Sequence, residues 1–177
     1  LNNGFTGWDS AQDTWSTELQ LLSSNDSALE WMLGIYYYDQ TANWNWQEMV
    51  DGVWGVPHWD QQGDYLSDST GYFGNATYAI SDTVRIIAGL RYSKDTKTQK
   101  DALDWSVFPP VQDFGTGIGG EWDKTLWKAG IEVDFNDNML GYFTASTGYR
   151  AGGINISDPN IPQLFDSEEV TAYEVGL

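Results

Sequence analysis

The segment Trp127–Arg150 decides the fold: it reads WKAGIEVDF (127–135), NDN (136–138) and MLGYFTASTGYR (139–150). Apolar and polar residues alternate through both runs, so that Ile131 and Val133 share one face and Glu132 and Asp134 share the other. A period of two over 9 and then 12 residues, with a turn-forming Asn/Asp stretch between them, predicts a long antiparallel hairpin. Strands of soluble proteins average about 5–6 residues, whereas a tilted strand that crosses a bilayer needs about 9–11. The length therefore indicates the wall of a transmembrane barrel.

The same alternation predicts seven long strands, and the connections between them differ systematically in length. The strands are 15–22, 29–39, 70–80, 83–94, 127–135, 139–150 and 168–177. Short turns fall at 23–28, 81–82 and 136–138, and long loops fall at 40–69, 95–121 and 151–167. Outer-membrane barrels have short periplasmic turns on one rim and long extracellular loops on the other. The predicted fold class is therefore all-β, an antiparallel up-and-down meander that forms part of a transmembrane β-barrel.

The predicted strands have two chemically different faces. One face is apolar and carries aromatic residues at the ends of the strands, as expected for a surface in contact with hydrocarbon. Its apolar members are Leu19, Leu33, Ile86, Leu90, Ile131, Val133, Phe143 and Val175, and its aromatic ends are Trp15, Trp31, Tyr37, Tyr92, Trp127, Phe135 and Tyr149. The other face is charged and is expected to line an interior; it contains Glu18, Glu30, Arg85, Arg91, Lys128, Glu132, Arg150 and Glu174.

Composition excludes several classes of function. The chain has 8 Lys and Arg residues against 26 Asp and Glu residues, a formal net charge of -18, which opposes binding to nucleic acid phosphates. Cysteine is absent, so disulfide scaffolds, thiolate metal sites and cysteine nucleophiles are excluded together. We therefore expect no nucleic acid partner.

Two C-terminal motifs resemble those of TonB-dependent receptors of the bacterial outer membrane. In that family a strand commonly ends in Gly-Tyr-Lys/Arg-x-Gly-Gly-Phe-Asn, and a loop then leads to Pro-Glu-x-x-x-x-Tyr-Glu-x-Gly-Leu. Here the matching segments are GYRAGGIN (148–155) and SEEVTAYEVGL (167–177), with Ile154 in place of Phe and Ser167 in place of Pro. Earlier segments are also similar to the family: STELQLLSS (16–24), LEWMLGIYYYDQ (29–40) and GYFGNATYAISDTVRIIAGLRYSKDTK (71–97).

The resemblance implies a barrel of about 22 strands that is filled by an N-terminal plug domain. Such receptors take up scarce ligands, most often ferric siderophores, with energy that the TonB complex delivers through the plug. We therefore expect residues 1–177 to be a partial TonB-dependent receptor-like β-barrel domain, with the plug and the remaining strands outside this sequence. The implied partners are outer-membrane lipid and lipopolysaccharide, the TonB complex through the plug, and a siderophore-like small molecule. The implied location is the bacterial cell outer membrane.

The candidate ligand contacts are aromatic residues of the long loops and arginines of the charged face. Exposed indoles stack on planar or sugar ligands and recognise cations. The acidic residues of these loops would repel an anionic ferric complex, which favours a neutral or cationic ligand at this rim or a basic patch elsewhere in the barrel. The arginines of the charged face are the available counter-charges. The candidates are Trp44, Trp46, Trp54 and Trp59 in loop 40–69, Trp105 in loop 95–121, and Arg85, Arg91 and Arg150. Loop aromatics that pack only on one another, as a folded cap, are an equally good interpretation.

No catalytic residue, metal site or cofactor is predicted. His58 is the single histidine of the chain and is interpreted as a surface residue of its Trp- and Asp-rich loop. Glu168 and Glu169 are adjacent on one strand and therefore point to opposite faces, so they cannot act as a hydrolytic pair. We expect the protein not to be an enzyme.

Two alternative folds remain open at this stage. A secreted, soluble β-sandwich could bind glycans through its loop tryptophans, and it would cover the apolar face with a second sheet. A complete small barrel of eight strands is the other alternative, and it would close on itself.

Overall fold

The computed structural model describes residues 5–24, 27–49, 59–104, 117–155 and 163–177. Seven long strands account for most of them. These are β1 (Phe5–Leu22), β2 (Leu29–Met49), β3 (Trp59–Ser81), β4 (Val84–Asp104), β5 (Gly119–Asn136), β6 (Met139–Arg150) and β9 (Glu168–Gly176), and a two-stranded ribbon is formed by β7 (Gly153–Ile154) and β8 (Leu164–Phe165). Within the described ranges, no helix is long and apolar enough to span a membrane.

The long strands form one antiparallel meander in the order β1-β2-β3-β4-β5-β6-β9. Each long strand pairs with its predecessor, and β9 pairs with β6 because the β7–β8 ribbon forms a separate small sheet between them in sequence. Within the described residues the meander is open, with β1 and β9 at its two edges. The predicted all-β meander is confirmed, and the residues that the structure describes do not form an eight-stranded sheet closed on itself.

The alternation of connection lengths is also confirmed. Strands are joined at one rim by the connections 23–28, 82–83 and 137–138, and at the other rim by 50–58, 105–118 and 151–167. Local side-chain hydrogen bonds explain two of the tight turns: the Asn138 amide donates to Asn136 Oδ1 over 3.0 Å, and the Thr83 amide donates to Ser81 Oγ over 3.3 Å. Asn136 and Ser81 therefore stabilise two of the turns at the short-turn rim.

The prediction of long loops at 40–69 and 95–121 is wrong for residues 40–49, 59–69, 95–104 and 119–121, which belong to strands. The β2–β3 ladder continues without a break from Leu29 opposite Tyr78 to Glu48 opposite Trp59. Strand β4 likewise extends to Asp104, and β5 begins at Gly119. Backbone hydrogen bonds hold a β-ladder together whatever the polarity of its side chains. The Trp-, Asp- and Gly-rich segments are therefore strands, although they lack the alternation of apolar and polar residues that predicts a strand.

Register places the large apolar side chains on one face of the sheet, hereafter the apolar face. The row that crosses the sheet from β3 to β9 contains Tyr78, Ile86, Ile131, Phe143 and Val175. These side chains are exposed, Val175 to 79% and Leu19 of the same face to 73%. The long strands of the described residues form a single layer, so this face lacks the second sheet that the sandwich alternative requires.

The opposite side of the sheet, hereafter the polar face, carries the charged residues that the sequence places there. Arg85 lies opposite Glu132, Gly89 lies opposite Lys128, and Thr144 lies opposite Glu174. Glycines on this face leave room for the large side chains of neighbouring strands: a Cβ at Gly34 would lie 2.2 Å from the ring of Phe73. The polar face is therefore a packed layer of charged and aromatic groups.

Candidate functional site

Arg85 is neutralised by two carboxylates near the short-turn rim. Its Nε donates to Glu132 Oε2 over 3.0 Å, and its two Nη atoms donate to Asp134 over 2.6 and 3.1 Å. The alternation of β5 places Glu132 and Asp134 on the same face, with Glu132 directly opposite Arg85 and Asp134 two residues closer to the short turn. A guanidinium held bidentately by one carboxylate and capped by a second has little charge left for a ligand.

Arg91 lies in a different environment on the same strand. Its guanidinium carbon is 5.8 Å from the ring centre of Tyr36 and 5.6 Å from that of Phe73, which are cation–π distances. Its Nε donates to Ser93 Oγ over 2.9 Å. The guanidinium rests above Gly71, where a Cβ would lie 2.6 Å from Nη2. These contacts hold the side chain in place, while its two Nη groups make no hydrogen bond and no ion pair among the described residues.

A depression of about 290 Å³ adjoins Arg91 on the polar face. Its lining includes Asn75, Lys128 and Ser146. Gly89 forms part of the floor, and the Asn75 side chain lies over it. A Cβ on Gly89 would be only 2.5 Å from Asn75 Oδ1, so glycine is needed for this close approach. The wall of this depression thus combines two cations with a side-chain amide and a hydroxyl.

Arg150, the third candidate arginine, lies at the far end of β6. Its Nη1 is 3.8 Å from Glu168 Oε2, and both side chains are largely exposed, to 80% and 77%. An ion pair this exposed contributes little to stability. The sheet therefore separates the three predicted arginines instead of bringing them into one site.

The candidate tryptophans do not form one loop cluster within the described residues. Trp44 lies in β2 opposite Gly63, is half-buried, and its Nε1 has no hydrogen-bond partner. Trp46 and Trp59 occupy strand positions, opposite Gln61 and Glu48. Trp54 and Trp105, like His58, lie outside the described residues. Trp44, Trp46 and Trp59 thus belong to the projecting part of the sheet, and their contact with a ligand stays a prediction.

Lys97, Trp122 and Gly152 form a cluster that fixes the β7–β8 ribbon to the polar face, closer to the long connections than Arg91. Lys97 Nζ donates to the Gly152 carbonyl over 2.7 Å and lies 5.9 Å from the ring centre of Trp122. Burial lowers the pKa of Lys97 below its ordinary value, against the opposing effect of the Asp95 carboxylate. Gly152 is packed so closely that a Cβ there would lie 2.1 Å from the Phe165 carbonyl oxygen and 2.4 Å from Trp122 Nε1. Gly152 is therefore the point at which the ribbon joins the sheet.

The sequence pattern places Lys128 on the charged face, but it does not mark Lys128 as a site residue. It does not mark Lys97 or Trp122 either. Alternation identifies the face of each residue, but the partners across a long connection depend on a register that the sequence does not reveal. Gln99 was also missed: its side chain is fully buried, and neither amide atom has a hydrogen-bond partner.

Among the described residues, no group of three or more acidic or histidine side chains is arranged to hold a metal ion.

Comparison with known proteins identifies the family. The family model described as TonB dependent receptor-like, beta-barrel matches residues 1–177. A solved structure with the same fold is the ferric yersiniabactin uptake receptor FyuA from Yersinia pestis, with a TM-score of 0.80 and 16% sequence identity. The match covers 98% of this chain and 27% of that chain, so the present chain spans about a quarter of the FyuA chain. The family is one of receptor barrels and not of enzymes, as the sequence predicts. The full-length match, together with the meander of long two-faced strands, shows that the chain belongs to the TonB-dependent receptor-like β-barrel family.

Proposed function

We propose that the chain is a sector of the wall of an outer-membrane transport receptor that takes up a scarce ligand, either a ferric siderophore or another iron complex. The observation that carries this proposal is the match of residues 1–177 to the receptor-barrel family. FyuA, which shares the fold, is described as a ferric yersiniabactin uptake receptor, and this supports an iron complex as the class of ligand.

The two faces of the sheet support a membrane location. The apolar face exposes large aliphatic side chains and carries aromatic residues toward both rims, with Trp15, Tyr37 and Tyr92 on the side of the long connections and Phe135 on the side of the short turns. Such a face suits outer-membrane lipid, and the long connections at the outer rim would meet lipopolysaccharide. The polar face would then line the interior of the barrel.

The proposed receptor extends beyond this sequence. Residues 1–177 would form one partial barrel domain, and a plug domain encoded elsewhere in the same receptor would contact the TonB complex. An open sheet edge within lipid leaves unpaired backbone groups, so the edges at β1 and β9 would pair with further strands of the same receptor.

Uptake of radioactive iron tests the proposed function. Deletion of the gene for the receptor, in the bacterium that encodes it, is expected to abolish uptake of ⁵⁵Fe from at least one of a panel of iron chelates under iron limitation. Loss of TonB should abolish the same uptake, because the energy reaches the receptor through TonB. Unchanged uptake of every chelate in the deletion strain would contradict a role in iron transport.

A further inference from the structure

Arg91 and Lys128 of the polar face have no acidic partner among the described residues. Acidic residues outnumber basic ones by 26 to 8. Four of the eight cations are paired with carboxylates: Arg85 with Glu132 and Asp134, Lys94 with Glu121, Lys124 with Glu169, and Arg150 with Glu168. Lys97 instead donates to the Gly152 carbonyl and lies near the Trp122 ring. Arg91 and Lys128 have no ion pair among the described residues. Arg91 is half-buried and Lys128 is exposed. In so acidic a chain, a half-buried arginine without a carboxylate partner requires an explanation, because such charges are normally compensated.

The two unpaired cations share one site. Both line the depression of about 290 Å³, and Asn75 and Ser146 contribute to the same wall. The Asn75 amide has no hydrogen-bond partner among the described residues, so its two N–H groups remain free to donate. Gly89 and Gly71 keep the backbone open beneath these groups. The polar part of the wall therefore presents hydrogen-bond donors and positive charge beside the carbonyl of Asn75, and the remaining lining is largely apolar, with Phe73, Leu126 and Trp127.

Arg91 is preorganised to bind an anion. The rings of Tyr36 and Phe73 hold the guanidinium plane, and the bond to Ser93 Oγ uses its Nε. The two Nη groups that remain form the edge that donates hydrogen bonds to a pair of carboxylate oxygens. Because the side chain is already ordered, little rotamer entropy is lost when an anion binds.

We propose that the site formed by Asn75, Arg91, Lys128 and Ser146 binds the anionic oxygens, carboxylate or phenolate, of the ligand. The inference rests on the proposed function and narrows the ligand class to an anionic ferric chelate. In β4 Arg91 directly precedes Tyr92, which lies at the end of the apolar band nearest the long connections, and Lys128 lies opposite Gly89, further from that rim. A ligand that enters from the long-connection side meets Arg91 first and Lys128 second.

The net charge of the chain does not prevent this binding. At physiological ionic strength charges are screened over about 8 Å, so distant carboxylates act weakly on an anion in the depression. The two cations and the donors beside them act at contact distance and with little screening. The surrounding acidic residues would instead discriminate against anions that cannot reach both cations.

Equilibrium binding of probes of different charge tests the site in the full-length receptor purified in detergent. The probes are iron(III)–citrate, which is anionic, and a neutral iron(III) trihydroxamate, each titrated at low ionic strength and followed by quenching of tryptophan fluorescence. The variants are the double substitution Arg91→Gln/Lys128→Gln and the control Lys94→Gln/Lys124→Gln, which removes the same charge from paired lysines. Heat-modifiable gel mobility shows that each variant is folded.

The wild type is expected to bind the anionic probe more tightly than the neutral one. Arg91→Gln/Lys128→Gln should weaken anionic binding about 10- to 100-fold, as expected for the loss of charged hydrogen bonds, and should leave neutral binding unchanged. The control should stay within about threefold of wild type. Equal losses in both double variants, or no preference of the wild type for the anionic probe, would overturn the proposal.

Two further outcomes separate this site from its alternatives. In one outcome the wild type does not bind the anionic probe, and Arg91→Gln/Lys128→Gln lowers the melting temperature of the receptor. The two cations then form ion pairs with carboxylates elsewhere in the receptor, and the ligand site is refuted. If the probe binds as expected but iron uptake does not depend on the receptor, the transport function fails and the anion site stands.

Discussion

Replacement of Ala88 by arginine is expected to destabilise the membrane-embedded receptor by about 2–4 kcal/mol, the cost of an arginine on the lipid face near the bilayer midplane. Ala88 lies on the apolar face between Ala76 and Ala129 of the neighbouring strands. It is exposed and equally far along β4 from Val84 and Tyr92, which end the apolar band. An arginine there has no carboxylate beside it on its own face.

Thr144→Arg is the matched control for the Ala88 substitution. Thr144 lies in the same part of the sheet but on the polar face, directly opposite Glu174, which could pair with the new arginine. We expect a change of about 1 kcal/mol or less there. The free energy of unfolding in lipid vesicles, measured by denaturant titration with gel mobility as the readout, distinguishes the two. Equal costs at both positions would contradict the assignment of the apolar face to lipid.

Substitution of Gly152 by alanine is expected to release the β7–β8 ribbon from the polar face. The added Cβ would lie 2.1 Å from the Phe165 carbonyl oxygen and 2.4 Å from Trp122 Nε1, so backbone must move. Overpacking of this kind costs about 1–3 kcal/mol, and movement of Gly152 would also break the hydrogen bond that Lys97 donates to its carbonyl. Limited proteolysis within 151–167 should accelerate about tenfold or more, since about 1.4 kcal/mol corresponds to a factor of ten.

The neighbouring glycine provides the control for this second prediction. The atoms nearest to a Cβ at Gly153 belong to the ring of Phe165, at 2.4 Å and beyond, and that side chain is 51% exposed and can turn away. Gly153→Ala should therefore change the rate of proteolysis much less than Gly152→Ala. Similar rates in the two variants would show that the contacts at Gly152 do not hold the ribbon.

Strand alternation was sufficient to predict the sheet and its faces but not the length of its strands. The hairpin 127–150 was predictable because Ile131, Val133 and Phe143 repeat with period two around an Asn/Asp turn. The pattern weakens where strands leave the apolar band, as at Trp44 and Asp64, because neither face is buried in hydrocarbon there. Hydrogen bonding nevertheless continues to Met49 and Asp104.

The candidate site was predictable residue by residue but not as an assembly. Arg91 was identified from its face, and Lys128 was placed on the same face. Their shared depression depends on the pairing of Gly89 with Lys128 across the connection 105–118, which no local pattern specifies. The neutralisation of Arg85 depends on the same register. The β7–β8 ribbon has only two residues in each strand, too few to show a period.

Accessibility of single spin labels along β4 tests most directly whether the apolar face meets lipid and the polar face lines an interior. The chain contains no cysteine, so a label can be placed at each position from 84 to 92 in turn, in a full-length receptor otherwise free of cysteine and reconstituted in lipid. If the apolar face meets lipid, oxygen accessibility is high at 84, 86, 88, 90 and 92 and low at 85, 87, 89 and 91. Uniform accessibility along the strand, or protection of the even-numbered positions from both oxygen and a water-soluble nickel reagent, would contradict it.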